Sequence, residues 1–430
     1  MKTFDLKKIV VLCYDFPPLS SIGGQRPYSW FKNFKSFGLY PIVITNNWIK
    51  ADHINNEVLK DEEGEIHYVK SPKYTIEKLF SNRKKKVWII FRKIISFLNA
   101  FLKFNYSKID KTNNLNDYAT LFLNKNNVEY LLVSGEPFIL FKYGHQLSEK
   151  YNIPWFADYR DDWIDNHGRR NKGFLDKIIR FFEKYYEKKY LSNSSGIISV
   201  SDFLVDEISK RVKPISSIKI ENGIDLAYIE NSRIILDKKL FNIVYTGTFY
   251  ESHYMEIFYN GFKKFYENNR NENVRIYFVG IEKTKCSPYY KAIEMKKEYK
   301  NIIKIIDQVD IQTATNYQIS STILLSFIPG DPSKGIIGAK SYSYAATGKP
   351  ILLIPEIPNK NSPFFPGRNI QNIAVDENEV FIYLSNKFIE FEKNQEIKTD
   401  ISKEEIIKLS RKFKANELAQ WILKKKLSNQ

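Results

Sequence analysis

The sequence predicts an α/β protein of two domains, each built on a parallel sheet. Three observations carry this. Short apolar runs rich in β-branched residues alternate with helical patterns along the chain, as expected of strands buried on both faces. The alternation breaks in a polar stretch at 226–240 and restarts at Phe241. With 430 residues, 43% of them hydrophobic, two cores are a better prior than one. The expected boundaries are 1–225 for the first domain, 226–240 for a linker and 241–400 for the second domain. Residues 401–430 are expected to form a terminal helix able to return to the first domain.

In chain order, the first strand is 9–13 (IVVLC). A loop with Pro17, Pro18 and the pair Gly23-Gly24 follows, and a helical pattern begins near Gln25. Strand, glycine loop and helix start leave backbone N–H groups and a positive dipole end ready for an anion. Arg26 adds a charge in the first turn. The same pattern also serves a purely structural turn whose glycines allow tight packing. The G-x-G-x-x-G dinucleotide fingerprint is absent. Residues 41–45 read as a second core strand and 66–69 as a short third.

At 78–104, KLFSNRKKKVWIIFRKIISFLNAFLKF, the composition shifts to eight basic residues and no acidic one. Arg92, Ser96, Asn99 and Lys103 form one polar stripe at helical spacing, with Trp88, Phe91, Ile95, Leu98 and Phe101 on other faces. Arg92 and Lys93 in the middle of the apolar part argue against a spanning helix. A basic cluster beside an aromatic-rich amphipathic helix suits an anionic membrane interface. A helix packed on the domain core with a solvated basic face gives the same pattern. The net charge of +17 either points to an acidic partner or reflects a composition rich in Lys, Ile and Asn throughout. Cys13 and Cys286 are the only cysteines, which excludes a disulfide framework and a cysteine zinc site. No signal pattern opens the sequence and no charge-free run is long enough to span a bilayer. The expectation is a cytoplasmic protein, peripheral on the cytoplasmic face of the membrane.

Residues 128–134 (VEYLLVS) are the next strong strand, running through Gly135-Glu136-Pro137-Phe138 into a helix at 139–150. The strand 153–157 follows, with Asp158, Arg160, Asp161 and Asp162 crowded at its carboxyl end, where open α/β sheets bind ligands. A carboxylate and a guanidinium so close can grip a polyhydroxylated or phosphorylated ligand, or clamp each other to shape the loop. A helix at 174–191 and a strand at 196–200 come next, with Ser199 and Ser201 read as caps. The second domain opens with a strand and turn at 242–248, where Gly247 and Thr248 can present backbone and hydroxyl to an anion. A helix to 268 and strands at 274–279, 302–306 and 321–326 continue the pattern. Lys340, beside the N–H groups of a helix start, is a counter-ion for a bound anion or a solvated surface lysine. From Val380 the chain is mostly helical and charged, and the last pattern, 402–425, carries Leu418, Trp421 and Ile422.

Five stretches resemble the GT-B glycosyltransferases of the family 4 type, and they occur in that family's order across both halves of the chain. They are YDFPPLSSIGGQR at 14–26, ADYRDDW at 157–163, GIISVSDFL at 196–204, the strand leading to NGID at 222–225, and GIIGAKSYSYAATGKPILLI at 335–354. The resemblance implies two Rossmann-like domains around a deep cleft. It also implies metal-independent, retaining transfer of a sugar from a nucleotide-sugar donor, without a cofactor. The acceptor would be a saccharide or lipid-linked saccharide in surface polysaccharide assembly. Catalysis would rest on positioning and on neutralising the leaving diphosphate. The implied donor-binding residues are Gly23, Gly24, Arg26, Gly247, Thr248, Lys340, Ser343 and Tyr344. The implied catalytic cluster is Asp158, Arg160 and Asp161, with Asp158 anchoring the loop from within and Asp161 reaching sugar or acceptor hydroxyls.

The chain also departs from the family. Phe138 stands where relatives commonly carry a His, and Tyr250-Glu251-Ser252-His253 replaces an Arg/Lys pair. Ser343 and Gly335 stand where relatives carry two Glu residues, the first of which binds the donor ribose. A non-catalytic saccharide or nucleotide-sugar binding protein on the same fold would account for these departures. A nucleic-acid binder would account for the charge, but no recognition motif supports it, and nucleic acid is not an expected partner.

Overall fold

The computed structural model describes residues 6–19, 21–48, 63–70, 112–164, 174–250, 254–269, 273–282, 286–328, 338–357, 371–395, 397 and 401–425. The basic amphipathic stretch 78–104 lies outside the described residues. The chain divides into two units, Met1–Glu221 with Lys414–Gln430, and Asn222–Phe413.

The first unit holds seven strands: β1 (Lys7–Leu12), β2 (Leu39–Asn46), β3 (Glu65–Val69), β4 (Tyr130–Ser134), β5 (Trp155–Tyr159), β6 (Gly196–Ser199) and β7 (Ser217–Lys219). They lie in the order β3-β2-β1-β4-β5-β6-β7, every neighbouring pair parallel. Side-chain alternation sends Val10, Leu12, Leu131, Val133, Ala157 and Tyr159 to one face, under the helices Leu140–Tyr151, Phe174–Leu191 and Asp202–Val212. Ile9, Val11, Leu132, Phe156 and Ile198 go to the other, where Trp30, Phe31 and Phe34 of the helix Ile22–Phe34 cover them. Leu418 and Ile422 of the last helix, Arg411–Lys425, join this second face. There the Trp421 indole lies on β6, so close that a Cβ at Gly196 would stand 2.6 Å from it. The strand order reverses between β1 and β4, and their carboxyl ends form a topological switch point.

Three sequence expectations are corrected in this unit. The first helix starts at Ile22, not near Gln25, because extended Ser21 caps it by accepting from the Gly24 N–H at 3.0 Å. Gly23 and Gly24 therefore belong to its first turn. The strand expected at 153–157 is β5, two residues later: Asn152, left-handed at φ 51°, closes the preceding helix and displaces the strand start to Trp155. This puts Asp158 inside the strand. Ser199 is the last residue of β6 and caps nothing, whereas Ser201 accepts from Leu204 N at 3.2 Å.

The second unit holds β8 (Phe241–Thr246), β9 (Val274–Val279), β10 (Ile303–Ile306), β11 (Ile323–Ile328), β12 (Ile351–Pro355) and β13 (Gln371–Ile373). The order is β10-β9-β8-β11-β12-β13, again all parallel, with a switch point between β8 and β11. The helices Met255–Asn269 and Glu377–Asn394 pack so closely that a Cβ on Gly261 would meet Val380 at 2.5 Å. Residues 226–240, read from sequence as a linker, lie in this unit, where Leu226, Ile229 and Leu236 pack against the core cluster of Ile224, Val244 and Leu324. The last helical pattern is two helices, Lys403–Lys408 and Arg411–Lys425, with Ser410 between them bridging to Ile224. Among the described residues no helix is long and apolar enough to cross a membrane.

Candidate functional site

At the first switch point, strand phase decides which charges point inward. Asp158 shares the face of Phe156 and is fully buried beneath the first helix. Arg26 comes down from that helix to meet it, itself only 3% exposed. Its Nε donates to both Asp158 oxygens at 3.0 and 3.1 Å, Nη2 to Oδ1 at 2.8 Å, and Nη1 to the Ile220 carbonyl at 2.7 Å. The Ser134 hydroxyl donates to the same carboxylate at 3.1 Å. Arg26 and Asp158 thus neutralise each other inside the unit and tie the first helix, β4, β5 and the end of β7 together.

Arg160, one residue beyond β5, is part-buried, and its Nε donates to the Gly135 carbonyl at 2.7 Å. Its guanidinium reaches the first helix. A Cβ on Gly23 would stand 2.1 Å from Arg160 Nη1 and 2.9 Å from the Asp15 carboxylate. A side chain at Gly23 would displace the Arg160 guanidinium from this position, and the Arg160 and Asp15 groups lie within about 5 Å of each other. Gly24 is close-packed as well, with a Cβ there 3.2 Å from the Phe16 backbone. Asp161 is exposed. Asp162 turns back inside, accepting from Arg211 Nη2 at 2.8 Å and from Ile164 N at 2.9 Å. Arg211 also donates to Glu187 at 2.8 Å, and Glu187 accepts from Tyr159 Oη at 3.2 Å. Burial raises the Glu187 pKa against the opposing pull of Arg211. Phe138 stacks on Trp163, 5.5 Å between centroids, as part of an aromatic floor. Of the charged cluster, Asp161 is exposed and Arg160 part-buried, with part-buried Asp15 beside the Arg160 guanidinium.

At the second switch point, β8 is followed by Gly247, whose φ of 110° only glycine adopts readily. The Gly247 N–H donates to the Val279 carbonyl at 2.8 Å. Lys340, from the helix Ala339–Ala346, reaches this turn. Its Nζ donates to Tyr245 Oη at 3.0 Å and to the Thr246 carbonyl at 3.3 Å, 4.1 Å from the Tyr245 ring centroid. It lies 3.5 Å from the Cβ position of Gly247. Burial pushes the Lys340 pKa from the usual 10.5 down to about 7, since these neutral groups replace water poorly around a cation. Tyr245 organises the turn, for its hydroxyl also donates to the Thr248 carbonyl at 2.9 Å and Phe249 stacks on its ring.

Tyr344 is fully buried beneath the turn. Its hydroxyl accepts from Thr246 N at 2.8 Å, and burial pushes its pKa up to about 12. Gln318 donates to Thr246 Oγ1 at 2.9 Å. The Ser343 hydroxyl, part-buried, donates to the Lys340 carbonyl at 2.8 Å. Gly247, Thr248, Lys340 and Tyr344 therefore converge on one turn, with Ser343 bonded within its own helix, while Gly23, Gly24, Arg26, Asp158 and Arg160 converge on the other unit's switch point.

Sequence reasoning missed Asp15, Tyr245 and Gln318. Asp15 stands within the YDFPP stretch and was legible there as a charge just past a strand end. Gln318 lies 72 residues from Thr246 and leaves no local signal. Among the described residues no three His, Cys, Asp or Glu side chains gather to hold a metal ion.

No protein-family model and no curated protein sequence matches the chain. Solved structures do. A sucrose-phosphate synthase from Thermosynechococcus elongatus is 13% identical with a TM-score of 0.62, over 97% of this chain and 98% of that one. A glycosyltransferase from Rickettsia africae is 14% identical at a TM-score of 0.61, over 99% and 100%. HepE from Anabaena, solved in complex with UDP-glucose, is 10% identical at a TM-score of 0.57, over 97% and 99%. At these identities the likeness shows the fold: two Rossmann-like domains of the GT-B type.

Proposed function

We propose that the chain is a glycosyltransferase that moves a sugar from a nucleotide-sugar donor to a saccharide or lipid-linked saccharide acceptor. The observation that carries this is Lys340 at the Gly247 turn: a cation held by neutral groups beside a strand end at a switch point, ready for an anion. The leaving diphosphate would be neutralised there, and the structural likeness to HepE, solved with UDP-glucose, supports a uridine nucleotide. Arg160, with Asp15 and Asp161 near it, would bind sugar or acceptor hydroxyls, while Asp158 and Arg26 hold their loop from inside. The resemblance to family 4 enzymes favours retention of anomeric configuration, metal independence and a place in surface polysaccharide assembly. The basic stretch 78–104 favours an anionic membrane surface on the cytoplasmic face as the place of work.

Ser343 favours a second reading, a nucleotide-sugar binding protein that does not turn over. It offers a hydroxyl, turned to the Lys340 carbonyl, where relatives offer the donor ribose a carboxylate. Incubation with a panel of UDP-, GDP-, ADP- and CMP-sugars and lipid-linked saccharides separates the two. Nucleotide release with a glycosylated product is the result expected of the transferase; nucleotide-sugar binding with no release across the panel would establish the binder.

A further inference from the structure

From Lys177 on, the helix Phe174–Leu191 sorts its side chains sharply by face. Glu183, Tyr186, Glu187, Tyr190 and Leu191 are buried. Tyr186 stacks on Tyr190, Tyr190 meets the His145 ring, and Glu187 takes the Arg211 guanidinium. Lys177, Phe181, Lys184, Tyr185, Lys188 and Lys189 are exposed, Phe181 at 69% and Tyr185 at 57%. With 3.6 residues per turn these six occupy one arc of about 140°. Both carboxylates of residues 177–191 are on the inner side, so the arc carries four ammonium groups, two aromatic side chains and no acid.

A face that only meets water gains nothing from Phe181 and Tyr185 standing between lysines, and solvated helix faces usually intersperse both signs of charge. An anionic bilayer accounts for every group on the arc. The rings settle at headgroup level, the lysine stems lie along the interface, and the ammonium groups meet phosphate oxygens. We propose that this face of the helix docks on an anionic lipid surface. It deepens the membrane part of the proposed function and names a contact separate from 78–104; it does not depend on sugar transfer.

The full-length protein is sedimented with phosphatidylcholine vesicles, with and without phosphatidylglycerol. The wild type is expected to partition only onto the anionic vesicles. K184E/K188E should weaken that partition by at least about tenfold at low salt. F181S/Y185S should keep low-salt binding but dissociate at lower salt than the wild type. Because all four side chains are exposed, both variants should melt, and shift their melting with UDP, as the wild type does. Tyr185→Trp supplies a readout independent of these substitutions: its emission should move to the blue when anionic vesicles are added. Wild-type partition by both double variants, no blue shift, or no vesicle binding by the wild type would overturn the proposal. Loss of binding in K84E/K85E/K86E but not in K184E/K188E would overturn it too, leaving 78–104 as the membrane contact. Tighter binding to a random single-stranded oligonucleotide than to anionic vesicles, with the same dependence on both pairs, would overturn it in favour of a nucleic acid.

Discussion

Lys340 is a cation surrounded by a phenol, a carbonyl and an aromatic face, and its behaviour with pH follows from that. Without ligand, burial pushes its pKa down to about 7. A bound diphosphate favours the ammonium form, so above that pH binding takes up a proton and affinity falls as pH rises. For the fold the sign runs the other way. The unfolded chain keeps the proton up to the usual 10.5, so between about 7 and 10.5 the unliganded protein gains stability with pH. Titrating UDP calorimetrically at about pH 8 in buffers of different ionisation enthalpy should show proton uptake, abolished by Lys340→Met. Lys340→Ala should cost nucleoside diphosphate binding roughly 1.5–3 kcal/mol and nucleoside monophosphate binding much less. Equal losses would make Lys340 structural. Asp158 is the opposite case, a charge whose partner is already inside. Asp158→Ala leaves Arg26 buried without its carboxylate and should destabilise the first unit by about 3–5 kcal/mol, read from denaturant unfolding.

At the scale of elements, the phase of a strand settles roles that residue types leave open. β5 starts at Trp155, so Trp155, Ala157 and Tyr159 face one core and Phe156 and Asp158 the other. A one-residue shift would have reversed these assignments. The last helix shows how an element distant in sequence completes a core. Leu418 and Ile422 are fully buried against the first sheet's second face, although the second unit separates them from it in the chain. Leu418→Ala should lower the stability of the first unit by about 2–5 kcal/mol, with the UDP-induced melting shift of the second unit retained. A loss confined to the second unit's transition would mean that the helix does not belong to the first core.

On the scale of the whole molecule, the proposed work is divided between units. Lys340 and Gly247, where the diphosphate is proposed to bind, belong to the second, and Arg160 and Asp161 to the first. Asp161→Asn keeps the side chain's size on an exposed position, so melting temperature and nucleotide affinity should stay as in the wild type. Turnover should fall at least about tenfold, roughly 1.4 kcal/mol of barrier. Wild-type turnover by this variant would remove Asp161 from the mechanism, and early melting would make the cluster a structural clamp.

Two parallel sheets and most of their strands are legible in the sequence, since β-branched runs between helical patterns are a local signal; β9 is legible residue for residue at 274–279. Gly247 just past a strand end and Lys340 at a helix start are legible there too. Which charges are spent internally depends on the folded chain. The Arg26–Asp158 pair joins residues 132 apart, and its partners look no different in sequence from part-buried Arg160 and exposed Asp161. The physical reason is that burial and pairing depend on strand phase and on how helices cross the sheet, which no local pattern of residue types encodes.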